Sequence, residues 1–191
     1  MLRILIIDES RARVSELCAA LVLAGHSVAA VLPSVLDLSA QIEALRPDVI
    51  LIETESPSRD TLEHLALLNR ELPRPLIMLT QDDNVNVMRA AFKAGVSAYV
   101  VDAVDLARLK PIVDVAILRF EEHQGLKLEL ASAKRKLSER KLVEKAKGIL
   151  MKSRKLDEEQ AYVALRTLAM ERAQPIGKVA GDLVEMAKLL L

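Results

Sequence analysis

The chain has 191 residues, half of them apolar and 28% charged, with two tyrosines, two phenylalanines and no tryptophan. That is enough apolar material to pack one large domain or two small ones, which excludes global disorder, and too few aromatics for modules that stack bases on aromatic platforms. The formal net charge of zero hides an asymmetry: from Ser132 onward there are 14 Lys/Arg against 8 Asp/Glu, a net of +6, which leaves −6 on the first 131 residues. A basic tail is the electrostatic footprint of nucleic-acid binding, although a solvated basic helix face has the same composition. One cysteine, Cys18, excludes an internal disulfide and a cysteine-rich metal site, and His26, His64 and His123 have no metal-ligand spacing. The opening MLRILIIDES lacks the cleavage site of a signal peptide and no apolar run reaches membrane-spanning length. A cytoplasmic protein without membrane association is expected.

Over residues 1–120 short apolar runs alternate with amphipathic stretches. The runs Arg3–Ile7, Ser27–Val31, Asp48–Ile52, Pro75–Leu79 and Ala98–Val101 predict five strands. Near-continuous apolar runs of this length fit parallel strands covered on both faces. Between them, Ser10–Ala24 carries Val14, Leu17 and Leu21 and ends at Gly25. Asp60–Glu71 carries Leu62, Leu65 and Leu68. Asn84–Lys93 carries Val85, Met88 and Phe92 and ends at Gly95. Repeated strand–helix units with right-handed crossovers predict an α/β doubly wound five-stranded parallel sheet. Its functional crevice lies at the carboxyl ends of the strands, where Asp8, Glu9, Glu53, Thr80 and Asp102 all fall.

Beyond about Leu106 glycine and proline become rare. Helix formers run from Pro111 to about Lys152, interrupted only by Gly125 and Gly148. Leu126, Leu130, Ala133 and Leu137 recur at 4-3-4 spacing, a coiled-coil seam. Upstream the same register meets Arg119 and His123, which are poor seam residues. The expectation is a homodimer, or docking of this helix onto another domain.

Asp157 with Gln160 three residues on forms a variant capping box, followed by an apolar face of Ala161, Leu165, Leu168 and Ala169. Pro175 then stands near a first helical turn, before Ile176, Val179, Leu183, Met186 and Leu190. A three-helix module is predicted, its first helix continuous with the linker. Gly148 in mid-helix costs about 1 kcal/mol against alanine, which suggests close approach by another helix or by ligand backbone. Ala146, Ile149 and Leu150 can face the second helix through Ala161 and Leu165. Lys147 falls off that face, free to meet phosphate. Arg140, Lys141, Lys145, Lys152, Arg154 and Lys155 add charge along and just beyond the same helix. Arg166 breaks from the apolar face of the second helix, and its planar fork suits phosphate or guanine. Any one of these residues taken alone is as well explained as solvated surface.

Residues 1–120 resemble a two-component receiver domain, a flavodoxin-like fold. The resemblance implies that Asp8 and Glu9 match the family's Mg²⁺-binding acid pair and Thr80 its hydroxyl. Glu53, in PDVILIETESP, stands at the position of the phosphorylated aspartate, and Asp102, in AYVVDAV, where a lysine is expected. Phosphoryl transfer to a carboxylate needs in-line placement, with a metal and a lysine spreading charge off the phosphoryl oxygens. The extra methylene of Glu53 moves its oxygens about 1.5 Å outward, and misplacement of that order costs about 100-fold. Asp102 puts a like charge where a counter-charge belongs, and no cation from the protein is expected nearby. The pocket is then a degenerate phosphoacceptor site: either a weak Mg²⁺ site of Asp8, Glu9 and Glu53 or a solvated acidic cleft. Glu53 as a permanent mimic of phosphate is disfavoured by the missing lysine. No other cofactor is expected.

Residues from about 135 to 187 resemble the ANTAR domain, an RNA-binding three-helix module of transcription antiterminators. The resemblance rests on Ala146-Lys147-Gly148 with Leu150-Met151, then Glu159, Ala161, Leu165-Arg166, Met170 and Ala180. Receiver-like domain (1–120), coiled-coil linker helix (111–137) and ANTAR domain (135–191) together resemble the nitrate/nitrite-responsive NasT type, a relative of the AmiR type. The resemblance implies a protein that binds paired stem-loops in leader mRNA of nitrate/nitrite assimilation genes, prevents terminator formation and lets RNA polymerase continue. It also implies a nitrate/nitrite-sensing partner, similar to a periplasmic binding protein, that sequesters the receiver-like domain until its ligand binds. The RNA-binding residues expected are Arg140, Lys141, Lys145, Lys147, Lys152 and Arg166. The rival readings are a phosphorylation-controlled two-component response regulator with RNA output and a dimeric adaptor that binds no nucleic acid. A DNA-binding output has no helix-turn-helix pattern behind it. An enzyme is not expected, because no nucleophile–base pair or Gly-rich phosphate loop is present.

Overall fold

In the first half of the chain the three central strands alternate between two buried faces, and that alternation builds the core. The computed structural model describes residues 1–8, 13–35, 38–102 and 108–190, with Leu189 and Leu190 by backbone alone. The strands are β1 (Arg3–Asp8), β2 (Ser27–Leu32), β3 (Val49–Glu53), β4 (Leu76–Thr80) and β5 (Ala98–Val101). They form one parallel sheet in the order β2-β1-β3-β4-β5. Leu5, Ile7, Ile50, Ile52, Leu76 and Met78 point into one apolar cluster, and Ile4, Ile6, Val49, Leu51, Ile77 and Leu79 into the other. A period of two with both faces covered leaves residues 4–7 of β1 and 49–52 of β3 all apolar, and acids appear only at the carboxyl ends. Each of the five predicted strands is found within one residue of its expected bounds.

Helices cover both faces. α1 (Val14–Leu23) and the start of α5 (Leu109–Arg154) pack on one, through Leu17, Ala20, Leu21, Leu109, Val113 and Ala116. α2 (Leu38–Leu45), α3 (Arg59–Glu71) and α4 (Val85–Ala94) pack on the other. No helix is expected from the sequence between the second and third strands. The eight residues of α2 bury Leu38 and Ile42, spaced by four, a one-face pattern too short to stand out. In α4 the expected apolar face is corrected. Val85 and Phe92 are exposed, and Ala91 and Ala94 are the buried residues. Small side chains let this helix lie close to the sheet and to α3. At its end Gly95 adopts φ +104, and a Cβ there would sit 2.1 Å from the Asn69 side chain of α3. The start of the first predicted helix, with Ser10, lies outside the described residues.

The chain divides into two compact units, Met1–Gln124 and Gly125–Leu191. The second contains the later part of the 46-residue α5, then α6 (Glu158–Glu171) and α7 (Ile176–Leu190). Ala146 and Leu150 of α5, Ala161, Leu165 and Ala169 of α6, and Val179, Ala180 and Val184 of α7 make its core. The Asp157 carboxylate accepts from the Gln160 amide and the Gln160 side chain accepts from the Asp157 amide, so the capping box forms as expected. Met186 is exposed and does not share the packed face of α7, which Ala180 and Val184 complete. The Leu190 side chain lies outside the described residues. For Gly148 one of the two expected alternatives, close approach by another helix, is corrected: a Cβ on it would meet nothing within 4 Å, whereas one on Gly177 would come within 2.9 Å of Glu139. Close helix approach therefore falls at Gly177. Among the described residues no helix is long and apolar enough to cross a membrane.

Gly95→Ala should destabilise the first unit by about 1–3 kcal/mol, from left-handed backbone strain and the Asn69 overlap. A urea titration of the full chain should show the lower midpoint.

Candidate acidic pocket and nucleic-acid interface

Because β1 and β3 are adjacent and in register, Asp8 and Glu53 are direct cross-strand partners at the carboxyl end of the sheet. Asp8 is fully buried. Glu53 keeps 14% of its side chain exposed, and its Oε2 is buried without a hydrogen-bond partner. Two carboxylates at the end of an apolar core need a counter-charge, and Arg13, just before α1, supplies it. Arg13 Nη1 donates to Glu53 Oε1 at 3.3 Å, while Nε lies 3.7 Å from Glu16. This corrects the expectation of a pocket without a cation. The signal was present in DESRARV, where two arginines follow the acid pair. Burial raises the Glu53 pKa above the ordinary 4.5. Arg13 opposes the rise, and Asp8 and Glu16 add to it.

Asp102 directly follows the edge strand β5, exposed and with φ +70, and its amide donates to the Thr80 carbonyl at 3.0 Å; the charges that act on Glu53 are those of Arg13, Asp8 and Glu16. Glu9 lies outside the described residues. Of the three residues expected to hold a weak magnesium, Asp8 and Glu53 are among the described residues. Asp8 and Glu53 are suitable hard donors, but one Glu53 oxygen is committed to a guanidinium. No group of three metal-ligating side chains exists among the described residues.

Thr80 is buried and tied to the loops around it. Its hydroxyl donates to the Glu55 carbonyl at 2.8 Å and accepts from the Asp82 amide at 3.2 Å. Asp82 in turn accepts from the Ser56 hydroxyl and from the Asn84 amide, and its carbonyl accepts from Tyr99 at 2.9 Å. The Ser56 bond, then the Asn84 bond, hold the Asp82 carboxyl below its ordinary pKa. Ser56, Asp82 and Tyr99 had no motif to flag them. Their partners come from loops 17 to 26 residues away in sequence.

In the second unit the basic residues separate into two kinds. Arg140, Lys141, Lys145 and Lys152 are exposed along α5, and Arg166 is exposed on α6. Lys147 is not free to meet phosphate: it is 8% exposed. Its Nζ lies 2.7 Å from Glu158 and 2.9 Å from Glu144. The bond to Glu158 at the start of α6, followed by that to Glu144, raises its pKa, and Lys147 lowers that of Glu158. Lys147 thus ties α5 to the first turn of α6. The seam residues Leu126, Leu130, Ala133 and Leu137 are all exposed in the single chain.

The family model "Response regulator receiver domain" matches residues 4–114, and the model "ANTAR domain" matches residues 131–191. The transcriptional regulatory protein PdtaR of Mycobacterium tuberculosis is 29% identical over 143 residues, 75% of this chain and 70% of the relative. The nitrate regulatory protein of Klebsiella oxytoca is 39% identical over 88 residues, 46% of this chain and 22% of that protein. Among solved structures, a CheY-like receiver domain protein from Methanospirillum hungatei superposes with a TM-score of 0.55 at 22% identity, covering 64% of this chain and 98% of that one. The receiver domain of a modulated diguanylate cyclase from Desulfovibrio desulfuricans does so with 0.56 at 22%, with the same coverage of both chains.

Two outcomes follow from this geometry. A carboxyl with a raised pKa in the folded state stabilises below its unfolded value and loses that contribution as pH rises through the folded value. Glu53→Gln should therefore be at least as stable as the parent at pH 7.5. The difference should close as pH falls through the raised pKa toward 4.5, in urea titrations at a series of pH values. Lys147→Met should lower the helical melting temperature of the second unit by a few degrees, whereas the exposed Lys141→Met should not, by circular dichroism of the full chain.

Proposed function

We propose that this chain, which belongs to the response regulator receiver family and carries an ANTAR domain behind its receiver domain, is an RNA-binding transcription antiterminator that needs no phosphorylation. The observation that carries the reading is a division of charge. The exposed cations Arg140, Lys141, Lys145, Lys152 and Arg166 stand in the unit that matches the ANTAR model, while the acceptor position of the receiver domain holds a glutamate already paired with Arg13. Lysines along one helix neutralise successive phosphates without reading sequence, and Arg166 adds a planar fork able to recognise a base edge. The RNA is the paired stem-loops of a leader transcript, and polymerase reads on because the terminator cannot form. Likeness to the nitrate regulatory protein of Klebsiella oxytoca supports leaders of nitrate/nitrite assimilation genes.

Control falls to a protein partner, a nitrate/nitrite-sensing regulator resembling a binding protein, that sequesters the chain until its ligand arrives. A phosphoryl group at residue 53 would have to displace the Arg13 pair and find another charge partner, and exposed Asp102 offers none. The active form is a homodimer through Leu126, Leu130, Ala133 and Leu137, whose exposed apolar side chains suit a short two-stranded seam. Coupling is then a shift between free and partner-bound populations.

The test is transcription with purified polymerase and a two-stem-loop leader template, without any phosphodonor. The parent and Glu53→Gln should give the same read-through, and intact mass after acetyl phosphate treatment should show no phosphoryl adduct. Read-through that waits for a phosphodonor, or that Glu53→Gln abolishes, would return control to the acidic pocket. Arg166→Ala should weaken binding to the leader by about 1–3 kcal/mol, measured by gel shift at fixed salt.

A further inference from the structure

Glycine inside a helix lowers its stability relative to alanine and is kept where a side chain would be in the way. In α5 no part of this protein is in the way of Gly148, because a Cβ there would meet nothing within 4 Å. The space beside it is instead one wall of a groove of about 660 Å³ between α5 and α7 of the second unit. That volume is in the range of ligand pockets, about 300–1,000 Å³. Gly148 and Ile149 from α5 and Val184 and Ala187 from α7 give it an apolar floor. Lys145, Lys152 and Lys188 stand on its lining, and among the described residues no acidic side chain does.

From this geometry we infer that the groove holds one unpaired nucleotide of an RNA loop, its base against the Gly148 floor and its flanking phosphates on Lys145, Lys152 and Lys188. The inference rests on the RNA-binding reading and adds the subsite and the class of nucleotide it takes. Three cations around an uncharged floor complement a ligand that is anionic at its edges and flat and apolar at its centre. A base inside a duplex offers its face only to its stacked neighbours, whereas a base in a loop can be turned out. Without an aromatic side chain on the floor, binding depends on close approach to the helix backbone, which the missing Cβ of Gly148 permits. Lys188 is the residue that sequence reasoning missed. It comes from the last turn of α7 and joins the α5 lysines only through the fold.

The experiment uses the full chain and RNA hairpins with randomised loops, from which binders are selected with the parent protein. One selected hairpin and a fully paired duplex of equal length are the probes in fluorescence anisotropy. Gly148→Gln introduces a good helix former without charge. It should raise the melting temperature of the second unit, weaken hairpin binding by about tenfold or more, and leave the weaker duplex binding unchanged. Lys188→Ala should weaken hairpin binding and reduce the slope of log K against log salt by about one. Unaltered hairpin affinity in Gly148→Gln, with the helix intact, overturns the groove while leaving RNA binding by the tail standing. Equal loss on hairpin and duplex overturns the reading of an unpaired base. If the parent selects no hairpin from the pool, the RNA-binding reading fails, and the groove with it.

Discussion

A carboxylate at the end of a strand buried on both faces needs a positive partner. β1 and β3 each run through four consecutive fully or nearly fully buried apolar residues and then end in an acid, and parallel register sets those acids side by side. Desolvation and mutual repulsion both oppose ionisation of Glu53. In a receiver domain that charge problem is available for signalling, because a metal and a phosphoryl group can enter and leave. Here Arg13 answers it from within the chain. The proposed transfer of control to a protein partner follows from that internal neutralisation more directly than from the length of the glutamate side chain.

The second unit depends on an analogous pairing with a different consequence. Lys147 emerges from α5 at a point where the start of α6 lies close, and Glu158 and Glu144 close around its ammonium group. One lysine of the helix is thereby withdrawn from the surface, while its neighbours at 145 and 152 remain outside. The tie also pins the capped first turn of α6 against α5, in the same three-helix unit whose α5 and α7 wall the Gly148 groove. A motif residue such as Lys147 can thus matter to a binding surface by shaping its support rather than by touching the ligand.

Glycines illustrate how the same residue type serves opposite ends. At Gly95 the Asn69 side chain overlaps the place of a Cβ, and at Gly177 the Glu139 side chain comes within 2.9 Å of it. The place a Cβ would take on Gly148 is open, as it is on Gly125 in the same helix, so packing within the chain gives no reason for either glycine. Helical propensity alone marks all mid-helix glycines as costly. Only the neighbours distinguish a packing glycine from one that keeps a surface open.

The five strands, the helices other than α2, the capping box at Asp157 and the family resemblance of both halves were legible in the sequence, because each is written in local periodicity or in residues close together along the chain. Periodicity also shows that Glu53 and Asp8 stand at strand ends. It could not show Arg13 turning back onto Glu53, Lys147 folding under α6, or Lys188 arriving beside Lys145 and Lys152. These depend on which side chains meet across 11 to 43 positions of sequence, and charge partners are chosen by distance and burial in the folded chain. The sequence by itself determined the elements and the kinds of charge they carry. The tertiary structure alone decided which charges are neutralised and which remain for a partner, since desolvation and Coulomb attraction act through space and not along the chain.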